Sequence, residues 1–378
     1  MKEMGLNLTV FADDITGAAE IAGIAFSKGQ QVSLVCGCGC DTATNGTTVI
    51  ATDTRSMSEA EAVADTRRII SQSSFPFLIP HSSARPSGRF APSGQRFLIF
   101  KKTDSALRGH VVAELSALME ATGYKRAVYL PANPSKGRII KNGVYYINGK
   151  PIHETDFSFD PEFPAKTSVL RERFPDAEEK GIVMPDACSE EDIRNIIAQY
   201  NDEETLFAGA ADLFSALLSP QVNPLTSHPS PLTSKDTLIL CGSTQSKALK
   251  LGIPVAPMPL EIYDGSSDLS LWDTEAYAKS GSLILTIPHT HRTGKEVAVH
   301  LRSVMAEMAC QLVGEQQPDH LIIEGGATAW ATLQALGWKD FQIVRQIAPG
   351  VVQMRATNGT LVTLKPGSYP WGPLFTTP

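Results

Sequence analysis

The feature that most constrains this chain is a polar cluster that recurs directly behind short apolar runs. Leu6–Ala12 (LNLTVFA) is apolar enough for a strand covered on both faces. It passes straight into Asp13-Asp14-Ile15-Thr16-Gly17, and AAEIAGIAFSKG behind it reads as a helix closed by Gly29. Strands at Gln31–Val35 and Thr48–Ala51 follow, and the second leads into Asp53-Thr54-Arg55-Ser56. Ser58 opens a helical stretch with Glu61 three residues on, the spacing of a capping box. Phe97–Phe100 then runs into KKTDSALRGH, the helical VVAELSALMEATG follows, and Ala127–Leu130 is another strand. Such alternation predicts an α/β fold with a doubly wound, mostly parallel sheet.

The rest of the chain repeats the theme. NGVYYINGKPIHET predicts a β-hairpin turning at Asn148-Gly149. Pro164 to Leu218 reads only as mixed helix and strand, without a motif. Residues 72–96 are rich in Ser, Pro and Gly and read as an exposed loop. Gln221–Lys235 carries three prolines among Ser and Thr and reads as a linker. Behind it, strands are expected at Thr237–Leu240, Ser282–Ile287, His320–Ile323, Ile343–Ile347 and Thr360–Leu364. Helices are expected over Lys295–Val313 and Ala327–Leu336. At 378 residues, two domains are the natural division. The expectation is two doubly wound α/β domains, 1–218 and 236–378, joined by a linker over 219–235, with a cleft between them.

Several classes of function are disfavoured. A net charge of −7 argues against a broad nucleic-acid-binding face. No apolar run approaches the roughly 20 residues of a membrane span. MKEMGLNLTVFADD lacks the basic and apolar regions of a signal peptide, so a cytoplasmic location is expected. Cys36, Cys38 and Cys40 (CGCGC) have neither CxxC spacing nor a nearby His, so reduced thiols are expected rather than a zinc site. The other three cysteines are isolated and expected to be buried.

The polar clusters carry the chemistry, because the carboxyl edge of an open α/β sheet is where ligands bind. Asp13 and Asp14, with Thr16 and Gly17, exceed what a helix cap needs and can accept hydrogen bonds from a polyol. Arg55 offers a bidentate fork that suits a carboxylate, although a surface salt bridge is the plain alternative. Lys101, Lys102, Asp104 and Arg108 concentrate cations at a helix start, a compact anion site. The C-terminal half has glycine turns behind strands: Cys241-Gly242-Ser243-Thr244, Gly325-Gly326-Ala327-Thr328 and Lys365-Pro366-Gly367-Ser368, with Pro349-Gly350 as a fourth. Gly lets the backbone approach phosphates, and together these turns favour a nucleotide site. Neither a P-loop nor a GxGxxG fingerprint is present, and the second absence counts against a dehydrogenase. His289, His291 and the pair His153-Glu154 are possible bases but read better as polar loops.

FADDITGAAE, DTRS, KKTDSALRGH and PANPSKGRIIKNGVYYINGKPIHETDFSFDP, in this order, resemble the four-carbon acid sugar kinase family over roughly residues 6–160. That resemblance implies an N-terminal sugar-acid domain and a C-terminal nucleotide domain. It implies ATP-dependent phosphorylation, with Mg²⁺, of the terminal hydroxyl of acids such as threonate, erythronate or 3-oxo-tetronate. It implies substrate contacts by Asp14, Arg55, Lys101, Lys102, Thr103 and Asp104, and nucleotide contacts by Ser243, Gly325, Gly326, Ala327, Thr328 and Gly367. Arg108 joins the substrate set, and Gly350 and Lys365 the nucleotide set, on their positions in the motifs. Asp13, Asp14 and Asp104 are the candidate general bases; no metal ligands are assigned. Partners are expected to be a small sugar acid, without nucleic acid or membrane, and a homodimer is left open. The C-terminal resemblance is looser: Ala327 stands where the family carries an acidic residue, TQSKA follows Ser243, and Lys365-Pro366-Gly367-Ser368-Tyr369-Pro370 replaces Lys-x-Gly-x-Phe-Gly. Glu324 is the nearest substitute carboxylate. The alternative is a sugar-acid-binding homologue without turnover.

Overall fold

The apolar runs form strands buried on both faces, which is why their residues do not alternate in polarity. The computed structural model describes residues 6–37, 46–72, 96–160, 162–218, 236–243, 248–288, 294–367 and 369–375. The chain divides into two units, Met1–Pro224 and Leu225–Pro378.

In the first unit, β1 (Leu6–Ala12), α1 (Ile15–Ser27), β2 (Val32–Cys36), β3 (Thr47–Ala51), α2 (Glu59–Gln72), β4 (Arg96–Lys102), α3 (Val111–Thr122) and β5 (Arg126–Leu130) follow the predicted alternation. Three short strands come next: β6 (Arg138–Lys141), β7 (Val144–Ile147) and β8 (Lys150–Pro151). The unit closes with α4 (Leu170–Arg173), β9 (Ile182–Val183), α5 (Glu190–Tyr200), β10 (Thr205–Gly209) and α6 (Ala211–Leu217). Its main sheet is parallel, in the order β2-β3-β1-β4-β10-β5-β9. Ala12 pairs with Ala51 and Lys102, Lys102 with Gly209, and Gly209 with Leu130. Strands β1, β3 and β4 therefore end level, and the motifs behind them share one edge.

β10 was hidden in the motif-free stretch, yet it is fully buried between β4 and β5. The predicted hairpin is a three-stranded meander with two turns, Asn142-Gly143 and Asn148-Gly149. All four turn residues have positive φ, as a tight primed turn requires. Ser58 and Glu61 exchange the reciprocal bonds of a capping box at the start of α2.

The second unit contains β11 (Thr237–Cys241), β12 (Val255–Pro257), α7 (Leu260–Tyr263), α8 (Glu275–Ser280), β13 (Ser282–Thr286), α9 (Lys295–Gln316), β14 (His320–Glu324) and α10 (Gly326–Ala335). β15 (Asp340–Ala348), β16 (Val351–Ala356) and β17 (Leu361–Lys365) complete it. The order is β12-β13-β11-β14-β17-β16-β15, parallel through β17 and antiparallel beyond. Pro349-Gly350 proves to be the tight turn of the β15–β16 hairpin; β16 itself was not anticipated.

Among the cysteines, Cys36 and Cys241 are buried, but against expectation Cys310 is half-buried and Cys188 is exposed. It stands just before Ser189, the N-cap of α5, and its N–H donates to Asp192 at 2.9 Å, so the helix start holds it at the surface. Cys38, Cys40, the loop over 73–95, the linker over 219–235, Thr244, His289, His291 and Ser368 lie outside the described residues. No described helix is long and apolar enough to cross a membrane.

The C-terminal core holds a titratable group. His320, at the start of β14, is 2% exposed and lies 2.8 Å from Thr363 Oγ1 and 3.3 Å from Gln353 Nε2. Burial, reinforced by the charge of Arg345, pushes its pKa down to about 4. The unfolded chain therefore takes up a proton near pH 6.5 that the native state refuses until about pH 4. The stability of this unit should be full above pH 6.5 and fall by about 3 kcal/mol as pH drops towards 4. Urea unfolding of wild type and His320→Gln across this range tests it. Parallel profiles would clear His320 of the effect.

Candidate active site

At the edge where β1, β3 and β4 end, six sequence-predicted residues meet. Asp14 is the N-cap of α1: its Oδ1 accepts from the Gly17 N–H at 2.8 Å and its Oδ2 from Thr16 Oγ1 at 2.6 Å. Arg55 follows β3 in a single helical turn. It donates from Nε and Nη2 to the two oxygens of Asp13, each at 2.9 Å, and Nη2 lies 3.1 Å from Asp14 Oδ1. Its Nη1 stands 3.8 Å from Asp104 Oδ1, beyond hydrogen-bond length. Arg108 grips Asp104 in a second bidentate pair, at 2.9 and 3.0 Å, while the Ala106 N–H donates to the same carboxylate at 2.9 Å. Thr103 is buried, and its hydroxyl has no hydrogen-bond partner among the described residues.

The two lysines separate, because neighbouring strand residues point to opposite faces. Lys102 lies on the α1 side. Its Nζ donates to the Thr103 carbonyl at 2.9 Å and is 3.7 Å from Glu20 of α1. Lys101 points to the α3 side, where it is buried against Glu114. The structure thus gathers Asp13, Asp14, Arg55, Lys102, Asp104 and Arg108, with Thr103 beside them, and sets Lys101 apart.

Electrostatics keeps the carboxylates charged. Burial alone would raise the Asp14 carboxyl, but Arg55 and Lys102, with the bonds from Thr16 and Gly17, hold it below its ordinary value. Burial is likewise overcome at Asp104, where Arg108 and Arg55 hold the carboxyl well below the usual range. Arg55 is itself held firmly protonated: burial opposes its charge, and Asp13, Asp14 and Asp104 outweigh that.

In the second unit the glycine turns also converge. β11, β14 and β17 are parallel and level, Cys241 beside Glu324 and Glu324 beside Lys365. A Cβ on Gly242 would fall 2.1 Å from Thr328 Oγ1, and one on Gly367 would fall 2.4 Å from Ser243 Oγ. Only glycine permits the turns to approach this closely. α10 opens at Gly326 with Gly325 as an N-cap that makes no side-chain bond, so its first N–H groups face this edge without a side-chain cap. Ala327 is exposed on the first turn of α10, and Gly350 lies beside Tyr369 and Pro366.

Lys365 is buried here. Its Nζ donates to Glu324 Oε1 at 2.5 Å and to the carbonyls of Pro366 and Gly367 at 2.9 and 3.0 Å, with the Trp371 ring centroid 5.0 Å away. Burial, with Glu324 adding to it against Lys365, pushes the neighbouring Cys241 thiol up to about 12, so it is no nucleophile at neutral pH. Glu324 therefore reaches the edge as half of an ion pair. Glu324→Ala should cost about 3–5 kcal/mol of stability, because it strands a buried ammonium. Adding Lys365→Met should recover most of it, as chemical denaturation can measure. Equal losses in single and double variants would contradict the pairing.

Several residues around these sites were missed in the sequence. Glu114 and Glu20 are lone carboxylates in otherwise apolar helix faces, a signal that was available. Lys136, behind β5, donates to Glu20 Oε1 at 2.6 Å. Asp160 lies 3.6 Å from Arg108, and Tyr145 and Arg173 donate to the carbonyls of Ser105 and Leu107 at 2.6 and 2.9 Å, bracing the loop that carries Arg108. His153 lies in a single helical turn, Ile152–Glu154, and bonds Ser168 at 2.6 Å.

Residues 8–176 match the model of a sugar-binding N-terminal domain, and residues 276–369 that of a nucleotide-binding C-terminal domain. A 3-oxo-tetronate kinase of Brucella melitensis is 24% identical, with 96% of this chain and 93% of the relative covered. A D-threonate kinase of Cupriavidus necator is 25% identical, with 90% and 88% covered. A D-threonate kinase of Salmonella typhimurium is 29% identical over 56% of this chain, which spans about half (53%) of that relative. Two solved structures share the fold: a Haemophilus influenzae protein (TM-score 0.66, 18% identical, 97% and 98% covered) and a Salmonella typhimurium protein (TM-score 0.72, 19% identical, 97% of each covered). With both domain models in order along it, and relatives of this kind aligned over most of its length, the chain belongs to the four-carbon acid sugar kinase family.

Proposed function

We infer that the protein uses ATP to phosphorylate the terminal hydroxyl of a four-carbon sugar acid of the threonate, erythronate or 3-oxo-tetronate type. The observation that carries this reading is the cluster of three carboxylates around Arg55 and Arg108 at one sheet edge, inside the unit that resembles sugar-binding domains. Such an acid presents one carboxylate and several hydroxyls. Ionised Asp side chains accept hydrogen bonds from hydroxyls, and a guanidinium suits a carboxylate. Arg55 Nη1 is the group left for that carboxylate, and Thr103, next to Asp104 in the chain, has a buried hydroxyl with no partner among the described residues. Lys102 adds positive charge from the α1 side.

Asp14 is the best-placed proton acceptor. Asp13 is held at both oxygens by Arg55, and Asp104 at both by Arg108. Asp14 meets a guanidinium at one oxygen and a neutral hydroxyl at the other. Phosphoryl transfer depends chiefly on positioning and charge neutralisation. The second unit supports that need with the turns at Ser243, Gly325–Thr328 and Gly367 and the start of α10, whereas Lys365 gives its three protons to Glu324 and to the carbonyls of Pro366 and Gly367. Among the described residues no cluster of three or more acidic, His or Cys side chains is built for a metal. Magnesium commonly takes only one or two protein carboxylates besides phosphate oxygens, so these residues fit an ion carried on the nucleotide. Its chemistry would be to neutralise phosphate charge.

A second reading, an acid-binding homologue without turnover, is favoured by Ala327 in place of an acidic residue and by the engagement of Glu324 with Lys365. Calorimetric titration of the acid panel and of Mg-ATP into the protein tests both. Binding of an acid and of the nucleotide is expected. Acid binding without nucleotide binding would leave the second reading, and silence towards every acid would remove both.

A further inference from the structure

Lys101 looks like a ligand in the sequence, but its ammonium is spent inside the protein. It donates to Glu114 Oε2, and the same oxygen accepts from Thr54 Oγ1 at 2.9 Å. Lys101 and Glu114 are 3% and 2% exposed, and Thr54 is fully buried. Thr54 Oγ1 accepts from Thr52 Oγ1 at 2.9 Å, and the Thr52 N–H donates to the Ala12 carbonyl at 2.9 Å. This chain of bonds therefore joins α3, β4, the turn behind β3 and the end of β1. These are the elements that carry Arg55, Asp104 and the Asp13-Asp14 pair.

Arg55 is the residue next to Thr54. Its turn begins at Asp53, which has a left-handed backbone (φ 55°), and the Arg55 N–H donates to the Asp13 carbonyl at 3.3 Å. The turn is one residue-triplet long and has no side-chain cap of its own. The bond from Thr54 to Glu114 ties the buried side of this turn to α3 and so bears on the direction in which Arg55 leaves the sheet. We propose that Glu114 is a positioning residue: oriented by its ion pair with Lys101, it holds Thr54 and thereby aims the Arg55 guanidinium at Asp13 and Asp14. On this proposal, which rests on the reading of Arg55 as a sugar-acid ligand, Lys101 never touches the acid.

The test uses Thr54→Val, which removes only the hydroxyl, and the double variant Lys101→Met with Glu114→Leu, which replaces a buried pair by apolar groups and so avoids stranding a charge. The first readout needs no substrate. In ¹⁵N-arginine-labelled protein the Arg55 Hε signal, assigned by its loss in Arg55→Lys, should be sharp and slow to exchange in wild type. In both variants it should broaden or exchange at least tenfold faster. The second readout is calorimetry and kinetics with the acid: Kd and KM for the acid should rise about tenfold in both variants, with kcat changing less. Restoring Thr54→Ser, which returns the hydroxyl, should rescue both readouts. An Arg55 signal unchanged in Thr54→Val overturns the proposal whether or not any acid binds. Loss of acid binding in the double variant alone, with Thr54→Val at wild-type affinity, also overturns it, because Lys101 would then be a direct ligand. A wild type that binds no acid but shows the expected Arg55 response leaves the positioning role standing and sinks the sugar-acid reading instead.

Discussion

Arg55→Ala is expected to abolish binding of the acid and to lower the stability of the N-terminal unit by about 3–5 kcal/mol. The guanidinium sits among Asp13, Asp14 and Asp104, with Asp13 almost fully buried. Removing it leaves three carboxylates facing one another without their shared cation, which costs more than the pair's own worth. In a unit of this size the melting point should fall by roughly 10 °C. The pH dependence gives the sign. Asp14 and Asp104 titrate below their unfolded value of about 3.9, so their contribution is present above pH about 4 and is lost as pH falls through the lower folded values. Arg55 supplies part of that depression. The gap between variant and wild type should thus be widest at neutral pH and close below pH about 4. Thermal melts from pH 3 to 8 measure it. A gap that is small, or independent of pH, would mean that Arg55 does not neutralise this cluster.

Asp14→Asn carries the other large effect, and it separates chemistry from folding. Asn caps a helix about as well as Asp, so α1 should keep its start, and with Asp13 still paired to Arg55 the melting point should fall less than in Arg55→Ala. What is lost is the capacity to take a proton from the attacking hydroxyl. A positioned base contributes roughly 10²–10⁴-fold, so kcat should drop by about that factor while the calorimetric Kd for the acid changes less than tenfold. A variant with kcat within tenfold of wild type would move the base elsewhere. Asp13 and Asp104 are then the remaining candidates, and their full engagement with Arg55 and Arg108 makes either a weaker acceptor.

The sequence was readable wherever one local rule sufficed. Leu6–Ala12 and Thr237–Cys241 are continuous apolar runs bounded by polar turns, and both are buried strands. Lys295–Gln316 is a helix within three residues of expectation. β10 and β16 were not readable. The place of β10 between β4 and β5 is a long-range pairing that its five residues do not announce, and β16 follows β15 across only Pro349-Gly350, so two strands read as one strand and a loop. The site was legible in the same uneven way. Asp13, Asp14, Arg55 and Asp104 lie directly behind strands, and strand ends are where ligands collect. Lys101 and Lys102 look equivalent as adjacent cations. Strand alternation sends one towards Glu114 and the other towards Glu20, and the partner that fixes each lies 13 and 82 residues away in the chain. That distinction belongs to packing, which spacing alone does not encode.

The most direct measurement is ADP release by the purified protein with Mg-ATP, against a panel of D- and L-threonate, D- and L-erythronate and the 3-oxo acids. ADP formation that depends on one of these acids, and that Asp14→Asn reduces at least a hundredfold, is the predicted result. ADP release that no acid stimulates, from a protein that binds both the acid and the nucleotide, would contradict it.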